Sequence, residues 1–130
     1  MEHIFADELH IDATYVLRRS AKMTPAEHRE VLEKRQEIEA LFDEQALLAP
    51  LADEARTLLR LLDDVAEGRF TDIRFEDIGI AVFAMHYVLS PIDIIPDSVE
   101  EIGYADDAAV TEQATLLLGH VIERYRAATA

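Results

Sequence analysis

The chain has 130 residues, half of them hydrophobic, and no cysteine, which fits one globular domain (residues 1–130) and excludes disulfides and thiolate metal sites. Its net charge of -15 disfavours nucleic acids and anionic membrane surfaces as partners, because both are bound mainly through clustered Lys and Arg. The first ten residues include acidic side chains where an export signal would be basic and then apolar, and this predicts a cytoplasmic protein.

Apolar residues recur at helical spacing along nearly the whole chain, and no long segment alternates like a β-strand. The first helix is predicted over residues 5–20. The second begins at the sequence TPAE, residues 24–27, which has the form of a capping box with proline at the first helical position. Its apolar face continues as far as Phe42.

A third helix is predicted to open at Pro50 and to end before Gly68, where a C-terminal glycine belongs. Thr71 or Asp72 is the expected N-cap of the next helix. Residues 78–92 carry no formal charge but are too few to span a bilayer, which needs about 20 residues. They therefore predict a buried central helix.

The stretch YVLSPIDIIPDSVEEIGYADD, residues 87–107, contains many residues that are typical of turns and helix caps. Its SPID sequence, residues 90–93, has the form of a second capping box, and Pro96 cannot continue a helical hydrogen-bond pattern. Asp106 and Asp107 open the last predicted helix, where carboxylates complement the helix dipole. Each aspartate of the stretch thus has a structural explanation.

The same stretch also allows a divalent-cation site. The carboxylates of Asp93, Asp97, Asp106 and Asp107 fall within fifteen positions, and hard oxygen ligands suit Mg, Mn or Ca if the turn brings them together. His86 would add a nitrogen ligand, although a histidine on a buried helix also serves as a hydrogen-bonded structural residue. The sequence has no phosphate-binding glycine loop, serine elbow, HExxH motif or cysteine nucleophile, so we assign no catalytic residue.

The stretch resembles the signature of the YkvA-like family, bacterial proteins built around a domain of unknown function. The family pattern is an aromatic residue, S-P-I-D, an apolar pair, P-D, a short apolar stretch, G-Y, one residue and D-D. The matching positions are Tyr87, Ser90, Pro91, Ile92, Asp93, Ile94, Ile95, Pro96, Asp97, Gly103, Tyr104, Asp106 and Asp107. The likeness extends over roughly residues 20–126.

This resemblance implies an all-helical fold in which the motif is the turn of a helical hairpin, and it brings no established activity or cofactor. Many members look membrane-associated, because they are apolar after the motif. Here SVEE, residues 98–101, replaces the apolar stretch, and the last helix is amphipathic. Both departures disfavour membrane association of this chain.

We therefore predict a compact all-α domain of four to five helices with a central buried hairpin. The leading functional hypothesis is a non-enzymatic interaction or regulatory module with a protein partner and no cofactor. The alternative is a divalent-metal-binding protein, hydrolytic or not, that uses the aspartates of the turn. A third hypothesis is peripheral membrane association through the apolar motif. A homodimer is compatible with an apolar hairpin, although no heptad run argues for one.

Overall fold

The computed structural model of the chain describes residues 11–89 and 104–129. Seven α-helices and a short 3-10 helix form in this part. They are α1 (Ala13–Ser20), α2 (Pro25–Glu33), α3 (Arg35–Glu44), the 3-10 helix (Ala49–Leu51), α4 (Ala52–Ala66), α5 (Phe75–Tyr87), α6 (Ala105–Leu117) and α7 (Gly119–Thr129). The all-α prediction is confirmed, with more helices than the four to five expected. The predicted turn of the hairpin lies outside the described residues, and the hairpin stays a prediction.

The additional helices arise because two predicted helices are interrupted. The break between α2 and α3 falls at Lys34, whose φ of -106° and ψ of 21° leave the helical region. The break between α6 and α7 falls at Leu118, just before Gly119, a residue type with low helix propensity. Ile38 and Val121 are buried beyond the two breaks. Because the apolar spacing continues through each break, periodicity alone predicts one helix in each place.

The capping box at the start of α2 is confirmed. The Thr24 amide donates to Oε1 of Glu27 at 2.6 Å, and Oγ1 of Thr24 accepts from the Ala26 amide at 3.2 Å. The Thr24 hydroxyl also donates to Oε1 of Glu27 at 2.6 Å, and this bond, followed by the bond from the Thr24 amide, holds the pKa of Glu27 below its usual range. Gly68 has a positive φ of 75° just after α4, which confirms the predicted C-terminal glycine.

The first helix begins later than its apolar spacing predicts. Ile11 and Asp12 are not helical, and the Asp12 carboxylate caps α1 by accepting from the Tyr15 amide at 2.9 Å. The prediction of one continuous helix over residues 5–20 was therefore wrong at this point, because an aspartate N-cap adopts an extended backbone.

The N-cap predicted for the central helix was also wrong. Arg74 precedes α5 and makes no side-chain cap hydrogen bond. Asp72 instead pairs with Nε of Arg124 at 3.1 Å. The buried carboxylate of Asp77 lies in the first turn of α5 and accepts from Nε and Nη2 of Arg74 at 3.2 and 3.4 Å. A carboxylate at this place complements the N-terminal end of the helix dipole.

The central helix α5 packs against α1, α2, α4 and α6. Its residues from Ile80 to Met85 are buried, which confirms the prediction of a buried central helix. Fully buried side chains on the other helices complete the core, among them Val16, Val31, Ile38, Leu58, Leu59, Leu62, Val110, Ala114 and Val121. Each such side chain larger than alanine contributes about 1.5–3 kcal/mol by leaving water. In the ranges described, no helix has the length and apolar character needed to cross a bilayer.

Candidate functional site

Two signature residues meet in the core. Tyr87 is the last residue of α5, and its hydroxyl donates to Oδ2 of Asp106 in the first turn of α6 at 3.1 Å. Oδ1 of Asp106 accepts from the Asp107 amide at 3.1 Å. Burial, and after it the charge of Asp106, raises the pKa of Tyr87 well above its ordinary value. The hydroxyl therefore stays protonated and acts as a hydrogen-bond donor.

Other signature residues lie near this contact or outside the described residues. Asp107 is buried beside Asp106, and Tyr104 is partly buried directly before α6. Nine positions fall in the segment that is not described, namely Ser90, Pro91, Ile92, Asp93, Ile94, Ile95, Pro96, Asp97 and Gly103. Their roles as caps, turn residues or ligands stay predictions.

His86 has a partner that the sequence did not predict. Its Nε2 donates to Oε1 of Glu30 on α2 at 2.8 Å. Over residues 11–89 and 104–129 there is no group of three His, Asp or Glu side chains that could hold a metal ion. Asp93 and Asp97 are not among these residues, so the cation site stays a prediction.

One surface depression is an apolar groove. We define the apolar groove as the depression between the end of α1, the α1–α2 connection and the start of α5, with a volume of about 350 Å³. It is lined chiefly by the apolar side chains of Leu17, Ala21, Met23, Phe75, Ile78 and Val82. Phe75 is 73% exposed and Leu17 is 48% exposed. Exposed apolar side chains grouped in one place are a common feature of interaction sites.

A close backbone approach forms the floor of the groove. A Cβ atom on Gly79 of α5 would lie 3.0 Å from the carbonyl oxygen of Ser20, at the end of α1. A side chain at position 79 would therefore crowd the backbone at the end of α1.

A few polar groups face the groove beside its apolar lining. Thr24 and Glu76 line it, and Thr24 is held by the capping box of α2. His28 also lines it, and its Nε2 donates to the carbonyl oxygen of Leu62 at 2.9 Å. This bond fixes the ring orientation. Apolar walls with a few positioned polar groups are typical of binding sites.

Sequence reasoning missed this groove. Leu17 is exposed, whereas its neighbour Val16 is buried. Phe75 stands between Arg74 and Glu76, close to the expected start of the central helix. The available signal was the phenylalanine itself, since a large apolar side chain between two charges at a helix start fits no core stripe.

Comparison with known protein families gives a match for one region of the chain. Residues 77–111 match the model of a family described as "Protein of unknown function (DUF1232)". The matched region contains most of α5 and the start of α6, including Tyr87 and Asp106. Most of the apolar groove lies before it. No curated protein and no solved structure matches the chain. The central part of the chain is thus similar to an uncharacterised domain family.

Proposed function

We propose that this chain is a non-enzymatic interaction module and that the apolar groove is its binding surface. The observation that carries this proposal is the exposure of Phe75 (73%) and Leu17 (48%) on the two sides of one groove. A regulatory role would follow from what the groove binds.

Binding at this groove would remove apolar surface from water. Apolar area contributes about 25 cal/mol per Å² when it is buried, and an aromatic ring such as Phe75 has 150–250 Å² in all, to the order of magnitude. Exposed aromatic side chains beside a depression commonly become the anchors of protein interfaces. The groove therefore offers both an anchor and a place for the partner's own apolar side chain.

The sequence supports the proposal in two further ways. The signature resembles that of the YkvA-like family, for which no activity is established, and the likeness brings no catalytic residue. The absence of cysteine in the whole sequence suits a reducing compartment. We therefore place the module in the bacterial cytoplasm as part of the same proposal.

Photo-crosslinking in living bacteria tests the proposal directly. The residue p-benzoylphenylalanine is introduced at position 75 and, as a matched control, at position 116, because Leu116 is 70% exposed on α6 and does not line the groove. We expect ultraviolet-dependent adducts from position 75 that are absent from position 116. Equal labelling at both positions, or no adduct at position 75, would contradict the proposal.

A further inference from the structure

We infer that the apolar groove binds a segment of its own chain, residues 1–10, and that a partner must displace this segment. The inference rests on the proposed function, because it describes how binding at the same groove is regulated. Residues 1–10 precede the described part of the chain. Their sequence, the point where they join α1 and the size of the groove carry the argument.

The N-terminal segment, which we define as residues 1–10, has side chains of the kind that an apolar groove binds. It reads MEHIFADELH, and its large apolar side chains are Ile4, Phe5 and Leu9. Ile4 and Phe5 are adjacent, so one short stretch supplies an aromatic ring and a branched side chain. Burial of these side chains against the exposed apolar lining of the groove is favourable, in proportion to the area that leaves water.

The N-terminal segment joins the described part of the chain at a fixed point. Ile11, the next residue, is fully buried. Helix α1 runs antiparallel to α5, because the ring of Tyr15 lies 6.3 Å from that of Phe83, whereas Ser20 approaches the earlier residue Gly79. The groove is at the end of α1, so it lies one helix length from the point where the N-terminal segment is attached.

The segment is long enough to cover this distance. From Ile11 to Leu17 the chain advances roughly 10 Å, since a helix rises about 1.5 Å per residue. The six steps from Phe5 to Ile11 span up to about 20 Å when they are extended. Phe5 therefore reaches Leu17 and the groove beside it when the chain turns back along α1.

The size of the groove favours an occupant on the same chain over a separate protein. Specific protein–protein interfaces bury about 1,200–2,000 Å² in total. The groove has a volume of about 350 Å³, and its large exposed side chains are Leu17 and Phe75. Contacts of this extent bind weakly between separate molecules, because association also costs translational and rotational freedom. A short tether avoids most of that cost and gives an effective concentration on the order of millimolar.

Occupation by the N-terminal segment makes the groove a regulated surface. A partner that uses the groove competes with the segment, so its apparent Kd is the intrinsic Kd divided by the fraction of chains whose groove is free. Loss of the apolar side chains of the segment removes this competition. The segment is thus autoinhibitory, and a partner that displaces it makes contacts outside the groove as well.

Crosslinking within the purified full chain tests the inference. With p-benzoylphenylalanine at position 75 and the protein at low micromolar concentration, we expect ultraviolet light to join position 75 to residues 1–10 of the same molecule. Trypsin releases residues 1–18 as one peptide, because Arg18 is the first Lys or Arg of the sequence. Fragment spectra separate adducts on residues 1–10 from adducts on Leu17. Position 116 is the matched control and should give no adduct on residues 1–10.

A mixture of ¹⁵N-labelled and unlabelled chains distinguishes adducts within one molecule from adducts between two. The double substitution Ile4→Ser and Phe5→Ser should abolish the internal adduct, whereas His3→Ser, which changes a polar neighbour, should leave it unchanged. In cells, the double substitution should raise crosslinking of position 75 to another protein several-fold, because the competing segment is lost. Circular dichroism melts verify that both variants are folded. If the double variant does not fold, the adducts of the parent chain decide alone.

Three outcomes would overturn the inference, namely adducts that join two chains only, no adduct on residues 1–10, and an internal adduct that the double substitution leaves unchanged. If position 75 crosslinks to a different protein equally well with and without the double substitution, autoinhibition is wrong and the proposed interaction module stands. If position 75 crosslinks neither to residues 1–10 nor to another protein, both are wrong.

Discussion

The hydroxyl of Tyr87 lies 3.1 Å from Oδ2 of Asp106, and both residues are buried. The bond joins the end of α5 to the first turn of α6, nineteen positions later in the chain. A buried carboxylate needs hydrogen-bond donors, because water no longer solvates it. Tyr87 and the Asp107 amide supply two of them. The contact thus ties the central helix to the next described helix through two signature residues.

Loss of this hydrogen bond should destabilise the fold. Tyr87→Phe keeps the ring, which packs edge-on against Phe83 with centroids 5.5 Å apart, and removes the donor. Because the Asp106 carboxylate is fully buried, we expect the free energy of unfolding to fall by about 1–3 kcal/mol. Urea denaturation followed by circular dichroism measures the change.

A double-mutant cycle separates this bond from general disruption. Tyr87→Phe, Asp106→Asn and the double variant are compared under the same conditions. If the two groups interact directly, the cost of the double variant is smaller than the sum of the single costs. Additive costs would show that the contact does not stabilise the fold as described.

The parts of the fold that the sequence predicted correctly are governed by local chemistry. The capping box of Thr24 and Glu27 needs only four consecutive residues, and Gly68 needs only a permissive backbone. The breaks at Lys34 and Leu118 could not be predicted in this way, because the apolar spacing continues through both. Helix ends of that kind are decided by how neighbouring helices pack.

Packing at the groove floor predicts opposite effects for two glycines. A Cβ atom at Gly79 would meet the Ser20 carbonyl oxygen at 3.0 Å, whereas a Cβ atom at Gly119 meets nothing within 4 Å. Strain of about 1–3 kcal/mol should outweigh the gain in helix propensity of up to about 1 kcal/mol at position 79. Gly79→Ala should therefore lower the unfolding free energy, and Gly119→Ala should leave it unchanged or raise it.

Chemical denaturation of both variants measures these two changes in the unfolding free energy. If both substitutions raised the unfolding free energy equally, α1 could shift away from α5 at little cost, and the floor of the groove would not be closely packed. Because Gly79 lines the groove, the same variants also test whether the spacing of its edges matters for binding. We expect Gly79→Ala, but not Gly119→Ala, to weaken crosslinking from position 75.

The candidate site was less predictable than the fold. The signature indicated aspartates as candidate site residues, and two of them are buried at the start of α6. The groove depends on Leu17 and Phe75, which are 58 positions apart and share no motif. Such a surface exists only after α1 and α5 have packed, and a periodicity argument assigns apolar residues to the core by default.

The pair of Asp64 and Tyr125 predicts how stability depends on pH. The Tyr125 hydroxyl donates to Oδ2 of Asp64, and Nε of Arg69 donates to Oδ1 at 2.7 Å. These two donors, Tyr125 first, hold the pKa of Asp64 below its usual range. Burial and then the bond to Asp64 raise the pKa of Tyr125 to about 12.

The sign of each effect follows from linkage. A carboxyl whose pKa is lower in the folded chain stabilises it above the unfolded pKa of about 3.9, and this is lost as the pH falls through the folded pKa. A phenol whose pKa is higher in the folded chain stabilises it below the unfolded pKa of about 10, and this is lost as the pH rises through the folded value.

Tyr125→Phe should therefore cost about 1 kcal/mol of unfolding free energy near neutral pH. That cost should shrink below about pH 4 and again above about pH 10. Urea titrations of the parent and variant across this range give the difference directly. A cost that does not change with pH would mean that the hydroxyl stabilises the fold by packing and not through Asp64.

If the aspartates of the signature bind a divalent cation, that ion should raise the Tm of the protein. The hydrogen bonds of Asp106 argue against such a site. Oδ2 of Asp106 accepts from Tyr87 and Oδ1 accepts from the Asp107 amide, so protein donors already satisfy part of the charge that a cation would neutralise. We therefore expect Mg²⁺, Mn²⁺ and Ca²⁺, added after EDTA treatment at constant ionic strength, to leave the Tm unchanged. Asp106→Asn and Asp97→Asn are the matched variants.

The opposite result would revise this view of the signature. A bound ion present at a hundred times its Kd stabilises a fold by about 2.7 kcal/mol, which is readily seen in a melt. A saturable rise in Tm with one ion, lost in both variants, would establish a cation site and would make a search for hydrolytic chemistry worthwhile. If the variants only lower the Tm, with or without the ion, these aspartates stabilise the fold through hydrogen bonds, and binding is to be sought at the groove.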